Sequence, residues 1–143
     1  MTQAIFLLLT LGLFAKHLGF HLVKLLKHLP FRSLPFVSIF FWAWNQQLEA
    51  HRTFARLKIA NPTKHSVPSG GLFPLVSCPH YTMEVLLYTV LLLILGLSHS
   101  SMLLVWAWVV INQCIAGLMS HSWYQSTFKE YPSTRKAIIP YLL

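Results

Sequence analysis

Two apolar runs in close tandem restrict this chain more than any other feature. Tyr81 to Leu97 is interrupted only by Thr82, Glu84 and Thr89, and Met102 to Met119 only by Asn112 and Gln113. At roughly 1.5 Å per helical residue each run reaches about 26 Å, close to the ~30 Å hydrocarbon core of a bilayer. The link between them, Ser98-His99-Ser100-Ser101, is short and polar. The pair therefore reads as a helical hairpin that crosses a membrane twice. Composition supports this: of 143 residues 55% are hydrophobic and 10% charged, against roughly 25% charged in a soluble domain. Mean hydropathy is +0.58. The expected fold class is an all-α integral membrane protein, a transmembrane bundle of about three to four spans.

The net charge is +8, from eleven Lys/Arg against three acidic residues. In a soluble protein that balance suggests nucleic acid, but here the basic residues flank apolar runs and form no nucleic-acid motif. Membrane lipid head groups or a phosphorylated cofactor are the better partners, and no nucleic acid is expected. The basic residues also order the topology. Arg52, Arg56, Lys58 and Lys64 precede the hairpin, Lys129, Arg135 and Lys136 follow it, and its turn carries none. The positive-inside rule places both basic stretches, and so the C-terminus, in the cytosol, with the turn on the far side.

The N-terminal part is harder to assign. Ala4 to Ala15 is largely apolar, but no positive charge precedes it and Lys16 follows at once, so it suits a membrane anchor better than a cleaved signal. Lys16, His17, His21 and Lys24 fall at helical steps, as snorkelling residues at a helix end or as one polar face of a cavity. Leu34 to Trp44 is too short to span, at about 16 Å, unless its helix runs on through Asn45, Gln46, Gln47 and Leu48. If both of these segments span, Lys24, Lys27 and Arg32 fall on the wrong side for the charge rule. Glu49 to Lys58 is amphipathic and basic, and Ile59 to Gly71 gathers the helix breakers Asn61, Pro62, Pro68, Gly70 and Gly71 in a loop. The division expected is membrane helices over 1–48 and a second domain over 49–143.

Chemistry-bearing residues gather at one face. The sequence holds no metal-ligand cluster, no Ser/His/Asp arrangement and no dinucleotide glycine fingerprint. Cys78 and Cys114 are too few for a disulfide framework. By the topology above, His51, Arg56 and Lys58, then His80 and Glu84, then His121 and Tyr124 all lie at the cytosolic membrane face. Basic, His and Tyr groups lining a pocket suit a phosphate-bearing nucleotide. Each has a plainer reading. His80 equally caps a helix, Trp123 and Tyr124 equally form an aromatic belt, Arg52 and Arg56 a solvated rim, and Arg135 and Lys136 a topology signal. Asn112 and Gln113 equally bond a neighbouring helix. Glu84 is the hardest to dismiss, because an unpartnered carboxylate in an apolar span costs about 2.5 kcal/mol or more.

Two ordered motifs resemble a known family. The run VPSGGLFPLVSCPHYTMEVLLY, from Val67 to Tyr88, and the ending SHSWYQSTFKEYPSTRKAIIPYLL are similar to the C-terminal half of the steroid 5α-reductase family. The ending carries His121, Tyr124, Phe128, Tyr131-Pro132, Arg135-Lys136-Ala137 and Pro140 in the family's order. Gln47 and His51 followed by Ala55-Arg56-Leu57-Lys58 look more like the polyprenal reductase branch than the steroid reductases. The GGLF segment and the Arg-Lys-Ala tail speak against a membrane methyltransferase of the isoprenylcysteine type.

The resemblance implies an NADPH-dependent reductase of a carbon–carbon double bond conjugated to a carbonyl, in the endoplasmic reticulum membrane. For the closest branch the substrate is polyprenal, an isoprenoid reduced on the way to dolichol for N-glycosylation. A steroid 5α-reductase-type enoyl reductase and a non-catalytic truncated paralogue are the alternatives. By resemblance the NADPH pocket takes Gln47, His51, Lys58, Gly70, Gly71, His80, Glu84, His121, Tyr124 and Arg135. Ser66 stands where the family usually has a basic residue, which removes one phosphate contact. The resemblance places the residues that engage the substrate carbonyl in the N-terminal half of the family, so no catalytic residue is assigned here. Met1 is then expected to start a truncated isoform or an incomplete reading of the gene.

Overall fold

The computed structural model describes residues 33–140, and those from Phe36 on belong to one compact unit. The first apolar segment, its Lys16-His17-His21-Lys24 stripe and the charges at Lys24, Lys27 and Arg32 lie outside the described residues. Three helices follow: α1 over Leu34–Ala60, α2 over Pro79–Leu95 and α3 over Ser100–Thr127. The described residues contain no strand, only an isolated parallel bridge between Val76 and Lys136.

α1 answers the question of the short apolar segment. Pro35 sits in its first turn, where a missing N–H costs nothing, and no Gly or Pro follows until Pro62. The helix therefore runs through Asn45–Leu48 and takes in the whole basic stretch to Ala60. Asn61 closes it, its N–H reaching the Leu57 carbonyl at 2.9 Å, and Pro62 bars continuation.

α2 and α3 are the expected hairpin with shifted ends. Pro79 opens α2. Gly96, at φ 92°, closes it by returning its N–H to the Leu92 carbonyl at 2.8 Å. A residue with a Cβ adopts that backbone at a cost, so the turn comes at Gly96–His99, earlier than the polar Ser98–Ser101. α3 starts at Ser100 and continues beyond Met119 to Thr127, because nothing in Ser120–Thr127 breaks a helix. At Phe128 the backbone becomes extended. α3 is long and apolar enough to cross a membrane, whereas α2 is apolar but shorter.

One polar contact ties the two helices of the hairpin together. Trp106 Nε1–H donates to Thr89 Oγ1 at 2.9 Å, and Thr89 donates to the Val85 carbonyl at 2.7 Å. α1 docks through Ala43 on Met83 and Leu87 of α2, with Phe40, Leu72 and Leu86 around them. The opposite face of α3 is open: Leu104, Trp108 and Met119 are 72%, 70% and 68% exposed.

The loop and the tail form a second core at one end of the hairpin. Gly70 (φ 86°) and Gly71 (φ 53°) make a tight turn in left-handed conformations that favour glycine. The chain then pairs with the tail: Lys136 N–H to the Leu75 carbonyl (3.3 Å), Ser77 N–H to Lys136 (2.8 Å) and Cys78 N–H to Ala137 (3.1 Å). Thr82 Oγ1 donates to the Ile138 carbonyl at 2.6 Å. Phe73, Val76 and Ile138 are fully buried, worth ~1.5–3 kcal/mol each in apolar transfer. Ile138 lies against Gly117 of α3, where any Cβ would collide with its side chain.

Candidate functional site

Loop, tail and helix ends converge at the end of the hairpin away from its Gly96 turn. A cleft of about 440 Å³ opens there between Cys78, His80, Ser120 and Tyr124. A second, of about 240 Å³, is walled by Lys58, Lys64 and Ser66. The two share Phe54, His65, Trp123 and Tyr124 as walls. Aromatic rings thus stand between a His/Tyr end and a lysine end. On another side of α1 a cleft of about 280 Å³ is lined by Arg56, Glu49, Ser69, Gly70 and Gly71. Nothing lies within 4 Å of where a Cβ on either glycine would stand, so that turn offers open backbone.

His80 is the most unusual group. Its ring packs against Tyr81 (4.0 Å between centroids), Phe54 (5.0 Å) and His51 (5.5 Å). Burial, helped by the neighbouring His51, pushes its pKa down to about 4. The ring is therefore neutral near pH 7, with one donor and one acceptor nitrogen. Its Nδ1 is buried without a hydrogen-bond partner, a state that costs about 1–3 kcal/mol and is rare without a reason. It does not cap α2: Cys78 occupies that position, with no side-chain bond to the helix. Burial raises the Cys78 thiol to about 11, against a lowering hydrogen bond with Ser120.

Glu84 has a partner on another helix, for Gln47 Nε2 on α1 donates to Glu84 Oε2 on α2. Tyr124 is stacked on Tyr131 (5.4 Å, 12°) and on Phe128 (6.0 Å, 25°). Burial raises its hydroxyl to about 12, with Cys78 and Tyr131 adding to the shift and Arg135 opposing it. Lys58 Nζ donates to the Pro62 carbonyl at 2.7 Å. Its side chain is thus folded along the mouth of the lysine-walled cleft.

His121 and Arg135 sit in the clasp between loop and tail. Arg135 is buried, donates to the Pro68 carbonyl at 3.1 Å, and lies over the Tyr131 ring at 5.4 Å. His121 Nδ1 meets Ser77 Oγ at 2.6 Å, and its pKa is lowered by burial and then by Lys136. Of the ten residues singled out in the sequence, His80, Tyr124 and Lys58 line the joined clefts. His51 and the Gln47–Glu84 pair lie along α1 and α2, and Gly70 and Gly71 line the third cleft. Arg52 is the solvated-rim residue, paired on the surface with Glu49 at 2.5 Å.

Sequence reasoning overlooked two groups. His65 walls both joined clefts and packs edge-on against Trp123 at 5.1 Å. Its place among the helix breakers beside Lys64 was the available signal. Ser77 anchors the clasp, and a lone serine before Cys-Pro carries no signal of that. The donor set as a whole fits an anionic ligand with flat rings: lysines for phosphate, aromatic faces for stacking, and a neutral His with a free ring nitrogen.

Comparison with known proteins agrees with the motifs. The family described as 3-oxo-5-alpha-steroid 4-dehydrogenase matches residues 1–143, more of the chain than the two motifs alone cover. A Polyprenal reductase of Drosophila melanogaster is 39% identical over 124 residues, covering 82% of this chain and 38% of that protein. One from Danio rerio is 37% identical over 110 residues, covering 73% and 36%. Polyprenal reductase 1 of Arabidopsis thaliana is 34% identical over 107 residues, covering 73% and 33%. The chain thus spans about a third of the length of these curated relatives. By the match along its whole length, this chain belongs to the 3-oxo-5-alpha-steroid 4-dehydrogenase family.

Proposed function

We propose that the chain forms the NADPH-holding part of a membrane reductase that saturates the α,β double bond of polyprenal. The joined cleft carries this reading, with lysines at one end, aromatic walls between, and a neutral histidine with a free buried nitrogen at the other. The similarity to proteins named polyprenal reductase supports the substrate class. In the full assembly the bundle has three to four spans from this chain, in the endoplasmic reticulum membrane with the C-terminus cytosolic, and serves dolichol supply.

Bound NADPH would supply the hydride for the double bond. Lys58 and Lys64 neutralise phosphate, and the Ser66 position leaves that end with one cation fewer than relatives of the family type. Phe54, Trp123 and Tyr124 offer ring faces that keep water from a bound base. His80 and the Gln47–Glu84 pair offer directed hydrogen bonds away from the phosphate end. Gly70 and Gly71 leave backbone accessible to a close-lying ligand, and Arg135 supports the turn that carries them. Tyr124, with its hydroxyl held protonated, is a hydrogen-bond donor at all physiological pH values.

The test is thermal unfolding of the detergent-solubilised chain with added NADPH, NADH or S-adenosylmethionine. A ligand that binds only the folded chain stabilises it in proportion to ln(1 + [L]/Kd). NADPH is expected to raise Tm, NADH less, and S-adenosylmethionine not at all, with Lys58→Ala and Lys64→Ala reducing the NADPH effect. No stabilisation at millimolar NADPH would overturn the reading and leave a chain that does not hold the cofactor alone, as a fragment or as a non-catalytic membrane protein.

A further inference from the structure

The buried hydroxyl of Ser77 touches three polar groups. His121 Nδ1 and the Tyr131 hydroxyl each lie 2.6 Å from Ser77 Oγ, and the Lys136 carbonyl lies 3.1 Å away. Ser77 is 0% exposed, so these contacts are not exchanged for water. A serine hydroxyl has a single hydrogen to give. The Lys136 carbonyl has none, so the bond to it uses that hydrogen. The other two bonds then need their hydrogens from the partners: Tyr131 donates its phenolic hydrogen, and His121 donates from Nδ1. Every group is satisfied in this arrangement, and no other distribution satisfies all three contacts.

The second ring nitrogen follows. Gln125, one turn along α3, places its amide nitrogen 2.9 Å from His121 Nε2. With Nδ1–H donating to Ser77, the neutral ring leaves Nε2 as the acceptor, and the Gln125 amide can meet it with a donor hydrogen. Burial and the neighbouring Lys136 both disfavour a charged ring. Among the described residues, Lys136 and Tyr131 on the tail are the charged and titratable groups facing it, and no carboxylate is paired with it to favour the cation.

We propose that Ser77 is a positioning residue that holds His121 as the neutral Nδ1–H tautomer, presenting Nε2 as an acceptor to a hydroxyl or amide hydrogen of the nucleotide. The second half rests on the NADPH reading above; the first does not. The consequence for recognition is specific. A phosphate oxygen, which also only accepts, has nothing to bond at Nε2, so His121 reads a sugar hydroxyl or carboxamide and leaves the phosphates to the lysines. A ligand donor would take the place now held by the Gln125 amide.

The experiment uses the full chain in detergent, labelled with ¹⁵N-histidine, with His121 assigned by the signal lost in His121→Gln. Nitrogen shifts distinguish the two neutral tautomers and the cation. The wild-type spectrum at pH 7.5 is expected to show the Nδ1–H form. An Nε2–H or doubly protonated ring overturns the proposal outright, whether or not any variant folds. Ser77→Thr, which retains a hydroxyl, is expected to keep the tautomer, and Ser77→Ala to mix the two forms. An unmixed Nδ1–H ring in a folded Ser77→Ala chain refutes the positioning role. NADPH titration is expected to shift the Nε2 signal without protonating it. If NADPH raises Tm yet leaves that signal unmoved or protonates the ring, the recognition half is wrong. If NADPH does not bind, the cofactor reading and the recognition half both fall while the tautomer result stands.

Discussion

Substituting Gly117 measures how tightly the tail is seated on the hairpin. At an open mid-helix site Gly→Ala stabilises by about 1 kcal/mol, because glycine is a poor helix former. At Gly117 the new methyl would run into Cγ1 and Cδ1 of Ile138, with Cδ2 of Tyr81 3.6 Å away. Ile138 is fully buried and its carbonyl is held by Thr82, so it has little room to retreat. Overpacking of this kind costs about 1–3 kcal/mol. Set against the propensity gain, Gly117→Ala is expected to destabilise by up to about 2 kcal/mol. Shortening the opposing side chain should relieve the clash. Ile138→Val alone costs about 0.5–1.5 kcal/mol, and in the double variant the two penalties should fall short of their sum by about 0.5 kcal/mol or more. Equilibrium unfolding in mixed micelles, with Tm beside it, gives all four corners of the cycle. A Gly117→Ala chain that is more stable by about 1 kcal/mol, with additive behaviour in the double variant, would refute the close packing of Ile138 on α3.

Two further perturbations test other contacts. Gln47→Leu strips Glu84 of its partner on α1 and is expected to cost about 1–3 kcal/mol; mixed-micelle unfolding indistinguishable from wild type would mean that the pair contributes nothing. His80 has a folded pKa of about 4 against an ordinary 6.5, so the unfolded chain takes the proton first as pH falls. Its contribution is complete above pH 6.5 and is lost between there and pH 4, by up to about 3 kcal/mol. His80→Phe should flatten the stability profile in that window, and an unchanged slope would show that His80 is not buried neutral.

The parts of the fold legible from sequence are those set by local chemistry. The α2–α3 hairpin follows from two apolar runs of bilayer length, and the Gly70-Gly71 turn from its helix breakers. Helix ends were less legible. Asn45, Gln46 and Gln47 look like the edge of an apolar segment, yet polarity does not stop a helix that lacks Gly and Pro, and α1 continues to Ala60. The same reasoning carries α3 on to Thr127 through His121 and Tyr124. At the site, clustering at one membrane face brought out His80, Tyr124 and Lys58, because unusual residue types at helix ends are visible one at a time. The Ser77 clasp was not visible, since its partners lie 44, 54 and 59 residues further on. No local pattern announces a contact at that separation. Arg135 reads in sequence as a topology signal or, by resemblance, a residue of the cofactor pocket, and only the fold shows that it braces Pro68.

The clasp also decides where the bundle can part. At one end α2 and α3 are joined by the covalent turn through Gly96, and at the other by the pairing of 75–78 with 136–137 and by the Ser77 hydroxyl. A ladder fastened at both ends does not open sideways. Among the described residues, the boundary along α1 is held by side-chain packing around Ala43, by the Gln47–Glu84 contact and by the rings of His51 and Phe54 against His80 and Phe73. Among the described residues, α2 and α3 therefore move as a single post, and the boundary along α1 is the one that side-chain contacts alone hold.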